Sequence, residues 1–417
     1  MLSNDVIEYV KGHDVVYCYG AGRFGKIARV FLSENGCPID GFVVSKIENG
    51  QRECLELPIY EISEAAENIK SGAGIIICVN QTLVDIFVNH LKEIEAKDYL
   101  IVDENVIAQM DQMNSYDKVF HQKGRTRTLL YHRIQKLEKD IWGIACSPQS
   151  FELQMKILKE HFEVVPIDDI IVCTDKDRII ISFDDGYKDN YENALPILEK
   201  YNIPAVIYVS TGNIGSDKEF WWDEIERIIC SNEKCPDNIL FMGDEYALTD
   251  MGLKVGACYK IRENLLRMLP EERDEQLSIL REITLDDGAG RMDNKSISAN
   301  ELKMLDKAAV ITIGGHTVSH SRLSAEPEEM QRWEIEESKH VIENYIGHVI
   351  TTFSFPFGGI EDYDEKTISV AREAGYEIIA AVTRKYYDPK MDEYNFGRIC
   401  VQNIESARDF KRFLSLN

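Results

Sequence analysis

The sequence lacks an excess of positive charge. Its 417 residues contain 47 Lys and Arg against 72 Asp and Glu, which gives a net charge of −25. A nucleic-acid-binding chain carries a basic footprint, and none is present here. We therefore expect no nucleic-acid partner. A local basic pocket is still compatible with this net charge.

Paired cysteine motifs are also missing. Ten cysteines are scattered along the chain, no CxxC pair occurs, and the closest two are Cys230 and Cys235. This distribution argues against a disulfide framework and against a structural zinc site. We expect reduced, buried thiols, as in a cytosolic protein.

Long hydrophobic runs are absent as well. The N-terminal MLSNDVIEYVKGHD lacks the basic and apolar regions of a signal peptide. No apolar run approaches the roughly 20 residues that span a bilayer. We expect a cytoplasmic protein without an integral membrane segment, and a homo-oligomer stays open.

Strand-like and helix-like runs alternate in the N-terminal region. The strand-like runs are DVVYCYG, IDGFVVS, AGIIICVN and DYLIVDEN. Alternation of this kind predicts an open parallel α/β sheet over residues 1–108. Residues 109–125 are polar and aperiodic, which predicts a linker.

A second α/β series occupies residues 126–417. Seven or eight strand-like runs with interleaved helices, among them DRIIISF, PAVIYVS and AVITIGG, favour a (β/α) barrel over another small open sheet. Residues 213–300 contain amphipathic helical patterns and predict a helical insertion over one face of the barrel. The predicted fold class is therefore α/β in both domains.

Two adjacent carboxylates follow one of these apolar runs. In IISFDDGY, Asp184 and Asp185 stand where a barrel strand should end, which is the active-site end of such folds. Side chains alternate along a strand, so one aspartate could bind a metal while the other remains free as a base. The alternative is a simple Asp-Asp-Gly turn.

Two histidines follow another predicted strand. In GGHTVSH, His316 and His320 are four residues apart, and on a helical turn they would share one face. With one distant carboxylate they would make three protein ligands and leave a coordination position for water. The alternative is a pair of solvated or core histidines.

A proline fixes the third motif. In FSFPFGG, Pro356 lies between two phenylalanines, and its ring holds the chain in an extended turn. Such a loop could present a backbone N–H, that of Phe357, to a substrate. A plain exit from a strand would give the same pattern.

The motifs SFDDGY, HTVSH and FSFPFGG, in this order, resemble the polysaccharide deacetylase family of NodB-type carbohydrate esterases over residues 126–410. The resemblance implies a distorted barrel that removes acetyl groups from sugars. It implies Asp184 as general base, Asp185, His316 and His320 as ligands of a divalent metal, and the N–H of Phe357 as an oxyanion donor. Zinc is the first expectation, with cobalt, nickel or manganese as alternatives.

The third motif departs from the family pattern. The family has RxPY where this chain has Ser354 and Phe357, so the arginine that orients the base is missing. Arg398, in FGRICV on the last predicted strand, is the candidate replacement. Its alternative role is that of a surface or packing arginine.

No histidine follows His348, although the family has a C-terminal histidine as general acid. A subgroup that includes deacetylases of biofilm poly-N-acetylglucosamine has a permuted motif order with an early histidine. His132, which follows the first barrel strand, resembles that acid. A structural histidine at a strand end is the alternative.

Adjacent tryptophans stand in the insertion. Exposed aromatic rings near a sugar site often stack on pyranose faces, so Trp221 and Trp222 are candidate substrate contacts, together with Pro356. The alternative is that the tryptophans anchor the insertion to the barrel.

The N-terminal GAGRFG has the GxGxxG pattern. Gly20, Gly22 and Gly25 follow a strand and open a helix, which is the context of a dinucleotide phosphate site. The second strand ends in Ser45-Lys46 instead of the acidic residue that NAD needs. The segment resembles Rossmann-like domains of nucleotide-sugar-modifying enzymes. The alternatives for this domain are therefore a bound nucleotide sugar, bound NAD, or no ligand.

The resulting hypothesis is a cytoplasmic, metal-dependent deacetylase in bacterial surface-glycan biosynthesis. Its partner would be an N-acetylated carbohydrate, either a nucleotide- or lipid-linked precursor or an oligosaccharide. The alternatives are a catalytically silent sugar-nucleotide-binding or assembly module, and a deacylase for another acyl group such as formyl.

Overall fold

The computed structural model describes residues 2–47, 51–118, 121, 125–172, 175–382 and 395–417. The chain forms two compact units. The first contains Met1–Gly124, Asp175–Asp177 and Ser406–Asn417, and the second contains Arg125–Thr174 and Arg178–Glu405. Within the described residues, no helix has the length and apolar character needed to cross a membrane.

The secondary-structure elements are numbered in chain order. The strands are β1 (Val16–Tyr19), β2 (Gly41–Val44), β3 (Glu53–Cys54), β4 (Leu57–Glu61), β5 (Gly74–Ile77), β6 (Leu100–Ile101), β7 (Arg125–Tyr131), β8 (Arg133–Ile134), β9 (Ala145–Cys146), β10 (Glu163–Val164), β11 (Asp177–Phe183), β12 (Ala205–Val209), β13 (Asn238–Phe241), β14 (Asp244–Ala247), β15 (Ile311–Gly315), β16 (Thr352–Ser354), β17 (Ile378–Ala380), β18 (Asn395–Phe396) and β19 (Ile399–Cys400). The α-helices are α1 (Ser3–Lys11), α2 (Arg23–Glu34), α3 (Ile62–Ser71), α4 (Val84–Glu93), α5 (Glu104–Met113), α6 (Pro148–His161), α7 (Leu195–Tyr201), α8 (Trp221–Glu226), α9 (Met251–Leu265), α10 (Pro270–Thr284), α11 (Ala299–Lys307), α12 (Glu328–Ile346), α13 (Glu365–Glu373) and α14 (Ala407–Leu416). Short 3₁₀ or π-helical turns occupy Gln81–Leu83, Ile167–Ile171, Asn190–Ala194, Arg227–Ser231, Met292–Asn294 and Leu323–Ala325.

The first unit contains a six-stranded sheet in the order β3-β4-β2-β1-β5-β6. All of its pairings are parallel except β3 with β4. Side chains of β1 alternate between two apolar clusters, with Cys18 on the face of α1, α2 and α5, and Tyr17 and Tyr19 on the face of α3 and α4. The sheet is therefore covered by helices on both faces, which is why its strands read as continuous apolar runs.

The second unit contains a nine-stranded sheet. Its main path is β18-β17-β16-β15-β12-β11-β7-β19, and β10 pairs with β11 beside that path. Only Gly397 and Arg398 separate β18, at one end of the path, from β19 at the other. Consecutive Cα atoms are about 3.8 Å apart, so the two ends of the sheet must lie close together. The sheet is therefore strongly curled, in agreement with the predicted distorted barrel.

The insertion between β12 and β15 contains α8, α9, α10 and α11. Helices α8, α9 and α10 share an apolar cluster with Tyr187, a residue that follows the Asp-Asp motif. The insertion also contains the antiparallel hairpin β13–β14, which the helical prediction missed. The hairpin turn is formed by Met242 and Gly243, both of which have positive φ angles, as a type I′ turn requires.

The unit boundaries differ from the predicted domains. Residues 109–113 are the second half of α5 and not linker, because Ile107 and Met110 of this helix bury against the first sheet. The C-terminal helix α14 belongs to the first unit, where Arg408 and Arg412 bond the end of α5 and Asp111. The predicted barrel domain therefore ends near residue 405.

Candidate active site

Both adjacent aspartates point toward one site at the carboxyl end of β11. The Oδ2 atom of Asp184 lies 3.8 Å and the Oδ1 atom of Asp185 lies 3.5 Å from Nε2 of His316. Strand alternation predicted divergent side chains, but β11 ends at Phe183 and Asp185 has a φ of 73°. Left-handed backbone at a non-glycine residue is uncommon and concentrates at functional sites. The turn, and not the strand, brings the two carboxylates together.

The two histidines also lie at this site, but not on a helix. Residues 316–322 form a loop after β15, in which Thr317 and His320 have φ angles of 65° and 50°. The predicted helical turn is therefore wrong. The loop still brings the rings of His316 and His320 to a centroid distance of 4.9 Å. The left-handed backbone of Thr317 and His320 turns the loop so that the two rings meet, and no helical turn is involved.

Asp185, His316 and His320 form a potential metal-ligand set. One nitrogen or oxygen atom from each residue lies within 4.8 Å of the others, and all three residues are buried. Although His320 Nε2 lies 3.2 Å from Asp185 Oδ1, neither Asp185 Oδ1 nor His316 Nε2 has a partner with hydrogen-bond geometry. Buried polar atoms without hydrogen bonds are costly, and converging lone pairs suit a cation. The residues therefore fit a divalent metal.

A backbone contact orients His316. Its Nδ1 atom lies 2.7 Å from the carbonyl oxygen of Ser354, which can only accept, so Nδ1 must donate. In the neutral ring, the lone pair then lies on Nε2, the atom that faces Asp185. A carbonyl acceptor on the other ring nitrogen is the usual device that orients a metal-binding histidine.

Arg398 lies against the predicted base. Its Nη1 and Nη2 atoms donate to Oδ1 and Oδ2 of Asp184 at 2.6 and 2.7 Å, and its Nε donates to the carbonyl of Ala381. Burial alone would raise the pKa of the Asp184 carboxyl, but the Arg398 guanidinium and His316 outweigh it and lower the pKa. Asp184 is therefore held ionised in a fixed orientation.

Ser354 connects this ion pair to the histidine. Nη2 of Arg398 also donates to Oγ of Ser354 at 2.6 Å, while the carbonyl of Ser354 accepts from His316. A small side chain at this position leaves room for the guanidinium that arrives from the β18–β19 connection. The position where the family motif has arginine therefore contacts an arginine supplied by another part of the chain.

The FSFPFGG loop brings Phe357 beside the histidines. Phe357 has a φ of 60°, and its ring packs edge-on against the ring of His320 at 4.6 Å. Among the described residues, no acceptor takes the backbone N–H of Phe357. Pro356 is buried, so its part is to shape the turn, and it offers little surface to a substrate.

His132 lies between β7 and β8 and is half-buried. Its backbone carbonyl accepts from the side chain of Asn190 at 2.8 Å. Its ring is close enough to lower the pKa values of both Asp184 and Asp185 as a secondary influence, after burial and their nearer partners. The structure therefore brings His132 to the same site as the two aspartates.

The tryptophans are not exposed. Trp221 and Trp222 retain only 6% and 5% of their accessible surface. Trp222 stacks on Phe220 at 4.8 Å and contacts the His320 ring at 4.4 Å, and its Nε1 donates to Tyr187. The expectation of free stacking faces is therefore corrected: both rings pack the insertion against the loop of residues 316–322 that contains the two histidines.

Sequence reasoning missed two residues that hold this loop. Glu334 of α12 is fully buried and accepts from the backbone N–H groups of Val318 and Ser319 at 2.7 and 2.9 Å, and from the Ser319 hydroxyl. Arg273 of α10 donates to the Ser319 carbonyl at 3.1 Å. The sequence signal for Glu334 was its helical spacing, which places this acid on the same stripe of α12 as the buried Ile335 and Ile342.

The three glycines of GAGRFG lie in the first unit, at the carboxyl end of β1. A cavity of about 700 Å³ is lined by residues 20–24, 44–47, 51, 59, 78–80, 83 and 87. Gly25 has a packing role, because a Cβ atom there would lie 1.8 Å from the carbonyl oxygen of Gly20. Gly22, the N-cap of α2, has open space around it and borders the cavity.

Comparison with known proteins gives a family match for part of the chain. A family model described as "Polysaccharide deacetylase" matches residues 171–232 and 283–379. The unmatched stretch between them contains the β13–β14 hairpin, α9 and most of α10. The match supports the polysaccharide deacetylase family for the second unit.

Curated relatives match part of the chain. Poly-beta-1,6-N-acetyl-D-glucosamine N-deacetylase of Staphylococcus aureus is 31% identical over 144 residues, which are 30% of this chain and 49% of the relative. The Staphylococcus epidermidis protein of the same name is 30% identical over 127 residues, covering 26% and 43%. The chain thus spans about half the length of the curated relatives that it matches.

Solved structures with distant similarity include the following two. The Streptococcus pyogenes deacetylase PplD in complex with acetate has a TM-score of 0.46 at 16% identity, covering 71% of this chain and 99% of that one. IcaB from Ammonifex degensii has a TM-score of 0.46 at 15% identity, covering 71% and 97%.

Proposed function

We propose that the second unit is a metal-dependent deacetylase that hydrolyses the acetamide of an N-acetylated sugar. One observation carries this proposal: a buried Asp185–His316–His320 set beside a second carboxylate, Asp184, which Arg398 holds ionised. The family match and the names of the curated relatives support the same reaction class.

The roles of the side chains follow from their placement. Asp185, His316 and His320 would hold a divalent cation, which when bound supplies Lewis-acid polarisation of the acetyl carbonyl and of water. Asp184 accepts a proton from the attacking water, because it is ionised and oriented by Arg398. The free N–H of Phe357 donates to the oxyanion that develops at the carbonyl. His132 donates a proton to the leaving nitrogen, so that water and amide become the free amine and acetic acid, which ionises to acetate.

The substrate class is proposed from chemistry and from the relatives. Poly-β-1,6-linked N-acetylglucosamine is the glycan in the names of the curated relatives. We propose an N-acetylhexosamine, carried either in such a glycan or on a nucleotide or lipid precursor of a surface glycan. Zinc is the first metal to test, with cobalt, nickel and manganese beside it, since Asp-His-His sets do not select sharply.

Acetate release from a substrate panel tests the reaction. The panel contains UDP-N-acetylglucosamine, N-acetylglucosamine oligomers of β-1,4 and β-1,6 linkage, and an N-formyl analogue. Zinc-loaded protein should release acetate, chelated protein should not, and Asp184→Asn should lose roughly 100-fold or more in rate while it keeps the metal. Tight metal binding without release of any acyl group would reject the proposal in favour of a silent binding module. Release of formate alone would show that the enzyme removes a formyl group and not an acetyl group.

For the first unit we propose a Rossmann-like nucleotide-binding role. The cavity at the carboxyl ends of β1, β2 and β5 supports it, since ligands of open α/β sheets bind there. Val44 is followed by Ser45 and Lys46, and Asp40 accepts a hydrogen bond from the Val16 N–H. Among the described residues that follow β2 up to Ile47, none is a carboxylate that could bind the NAD ribose. We therefore expect UDP or UDP-N-acetylglucosamine to raise the Tm and NAD to leave it unchanged. An unchanged Tm with all three ligands would indicate that this domain binds no nucleotide.

A further inference from the structure

Arg262 of α9 lies beside the proposed oxyanion loop. The centre of its guanidinium is 5.2 Å from the centroid of the Phe357 ring and 5.7 Å from that of Trp142. The Phe357 ring in turn packs against the ring of His320. Arg262 is therefore separated from a metal-ligand histidine by one aromatic ring.

This guanidinium has almost no charge partner. Its side chain is 24% exposed, and its ion pair is with the adjacent, largely exposed Glu263 at 3.5 Å. Among the described residues, no acceptor receives a hydrogen bond from Arg262. The nearby Asp362 is already engaged, because Arg322 and the Gly359 N–H donate to it. Burial lowers the pKa of the Arg262 guanidinium, which shows that these groups do not offset its desolvation.

Two other partly buried arginines of the insertion, Arg227 and Arg291, are paired with carboxylates. Arg227 contacts Glu219, Glu224 and Asp286, whereas Arg291 contacts Glu219 and Glu226. A partly buried cation without a carboxylate is costly to the fold, so its retention needs another reason. Arginine stacked on aromatic rings keeps its in-plane N–H groups available for an anion.

We propose that Arg262 binds an acidic group on the sugar substrate, a phosphate or a carboxylate, next to the reacting acetamide. This inference rests on the proposed deacetylase function and specifies its substrate class as acidic N-acetylated sugars. Arg262 lies in the stretch that the family model does not match, so this specificity belongs to the insertion of this chain. With a net charge of −25 the chain repels anions at long range, and a local cation at the site offsets that repulsion for an anionic substrate.

Kinetic discrimination between acidic and neutral sugars tests the proposal. The probes are N-acetylglucosamine 1-phosphate, UDP-N-acetylglucosamine, N-acetylglucosaminuronic acid and a neutral N-acetylglucosamine disaccharide. The measured quantity is the ratio of kcat/KM for each acidic probe to kcat/KM for the disaccharide. Wild-type protein should prefer an acidic probe, and Arg262→Gln should lower that ratio roughly tenfold or more, mainly through KM.

Two further variants control this experiment. Arg267→Gln removes a solvent-exposed cation just beyond the end of α9 and should leave the ratio unchanged. Arg262→Lys keeps the positive charge but loses the planar guanidinium group. Its kcat/KM ratio should therefore lie between those of Arg262→Gln and the wild type. The phosphate and uronate probes separate the two sources of the anion. A neutral preference in the wild type, or equal ratios in wild type and Arg262→Gln, would overturn the proposal.

Calorimetric binding separates this proposal from the reaction itself. If no probe releases acetate, the deacetylase proposal fails, but dissociation constants of the same probes for zinc-loaded protein still test Arg262. Tighter binding of an acidic probe than of the disaccharide, lost in Arg262→Gln and kept in Arg267→Gln, would support the anion site alone. Circular dichroism of each variant verifies that the insertion remains folded.

Discussion

Arg398 and Asp184 form a buried, two-pronged ion pair across 214 residues of sequence. Both Nη atoms of the arginine face both carboxylate oxygens of the aspartate, and the same guanidinium reaches Ser354. A buried pair of this kind contributes less through its net energy than through the orientation it imposes. It fixes the proposed base relative to the metal-ligand set.

Removal of the arginine should damage both stability and catalysis. Arg398→Gln leaves the Asp184 charge buried and unpaired, so we expect the free energy of unfolding to fall by about 3 kcal/mol. Misorientation of the base should lower kcat/KM roughly 100-fold. Urea unfolding and acetate release measure the two effects. Arg332→Gln, which breaks solvent-exposed pairs with Glu336 of α12 and Glu373 of α13, is the control and should cost less than about 1 kcal/mol.

Transfer of the arginine to position 354 should restore part of the activity. Ser354→Arg alone would place two guanidinium groups together and should be the least stable variant. The double variant Ser354→Arg with Arg398→Ser keeps one cation beside Asp184, so its kcat/KM should exceed that of Arg398→Ser. A double variant no better than Arg398→Ser would show that the β18–β19 connection itself is needed.

Loss of the glutamate behind the histidine loop should weaken metal binding. Glu334→Ala removes the acceptor of two backbone N–H groups between His316 and His320, so zinc affinity should fall roughly tenfold. The unsatisfied donors should cost about 2 kcal/mol of unfolding free energy. Calorimetric zinc titration and urea unfolding measure both quantities. Glu336→Ala, at an exposed position of the same helix, should change neither.

The sequence was sufficient to predict which strands end at the candidate site. Runs such as IIISF, AVIYV and ITIGG are mostly apolar, because central parallel strands are largely buried on both faces. Their ends therefore marked the positions of Asp184 and His316. Arg398 was found only because the third motif lacked its usual arginine, which required a substitute from elsewhere.

The local geometry of the site was not predictable from spacing. His320 adopts a left-handed conformation in a loop that Glu334 and Arg273 hold through long-range hydrogen bonds. No local pattern in HTVSH encodes those contacts. The burial of Trp221 and Trp222 likewise depends on how the whole insertion folds onto the barrel.

A pair of glycine variants should distinguish packing from ligand access in the first unit. Gly25→Ala places a Cβ atom against the Gly20 carbonyl, so we expect a loss of at least about 2 kcal/mol despite the better helix propensity of alanine. Gly22→Ala meets no atom within 4 Å and should cost less than about 1 kcal/mol as an N-cap change. Urea unfolding checks both. Equal stability of the two variants would contradict the close approach of α2 to β1.

The buried carboxyl of Asp223 should make stability fall as pH rises. Burial raises its pKa to about 7, although Arg133, Tyr187 and Arg291 oppose the shift and Glu219 adds to it. Tyr187 donates to Asp223 at 2.7 Å, an interaction that both the protonated acid and an asparagine can accept.

Between pH 4 and 7 the folded state therefore retains a proton that the unfolded state releases, so this group lowers the free energy of unfolding progressively with pH. Asp223→Asn keeps the acceptor and removes the titration. We expect the variant to gain on the order of a few kcal/mol relative to wild type between pH 5 and pH 8. Urea unfolding at both pH values measures this gain. Glu245→Gln replaces an exposed carboxyl in the same insertion, and its free energy of unfolding should change with pH as that of the wild type does. If the free energy of unfolding of Asp223→Asn also changed with pH as in the wild type, the raised pKa of Asp223 would be contradicted.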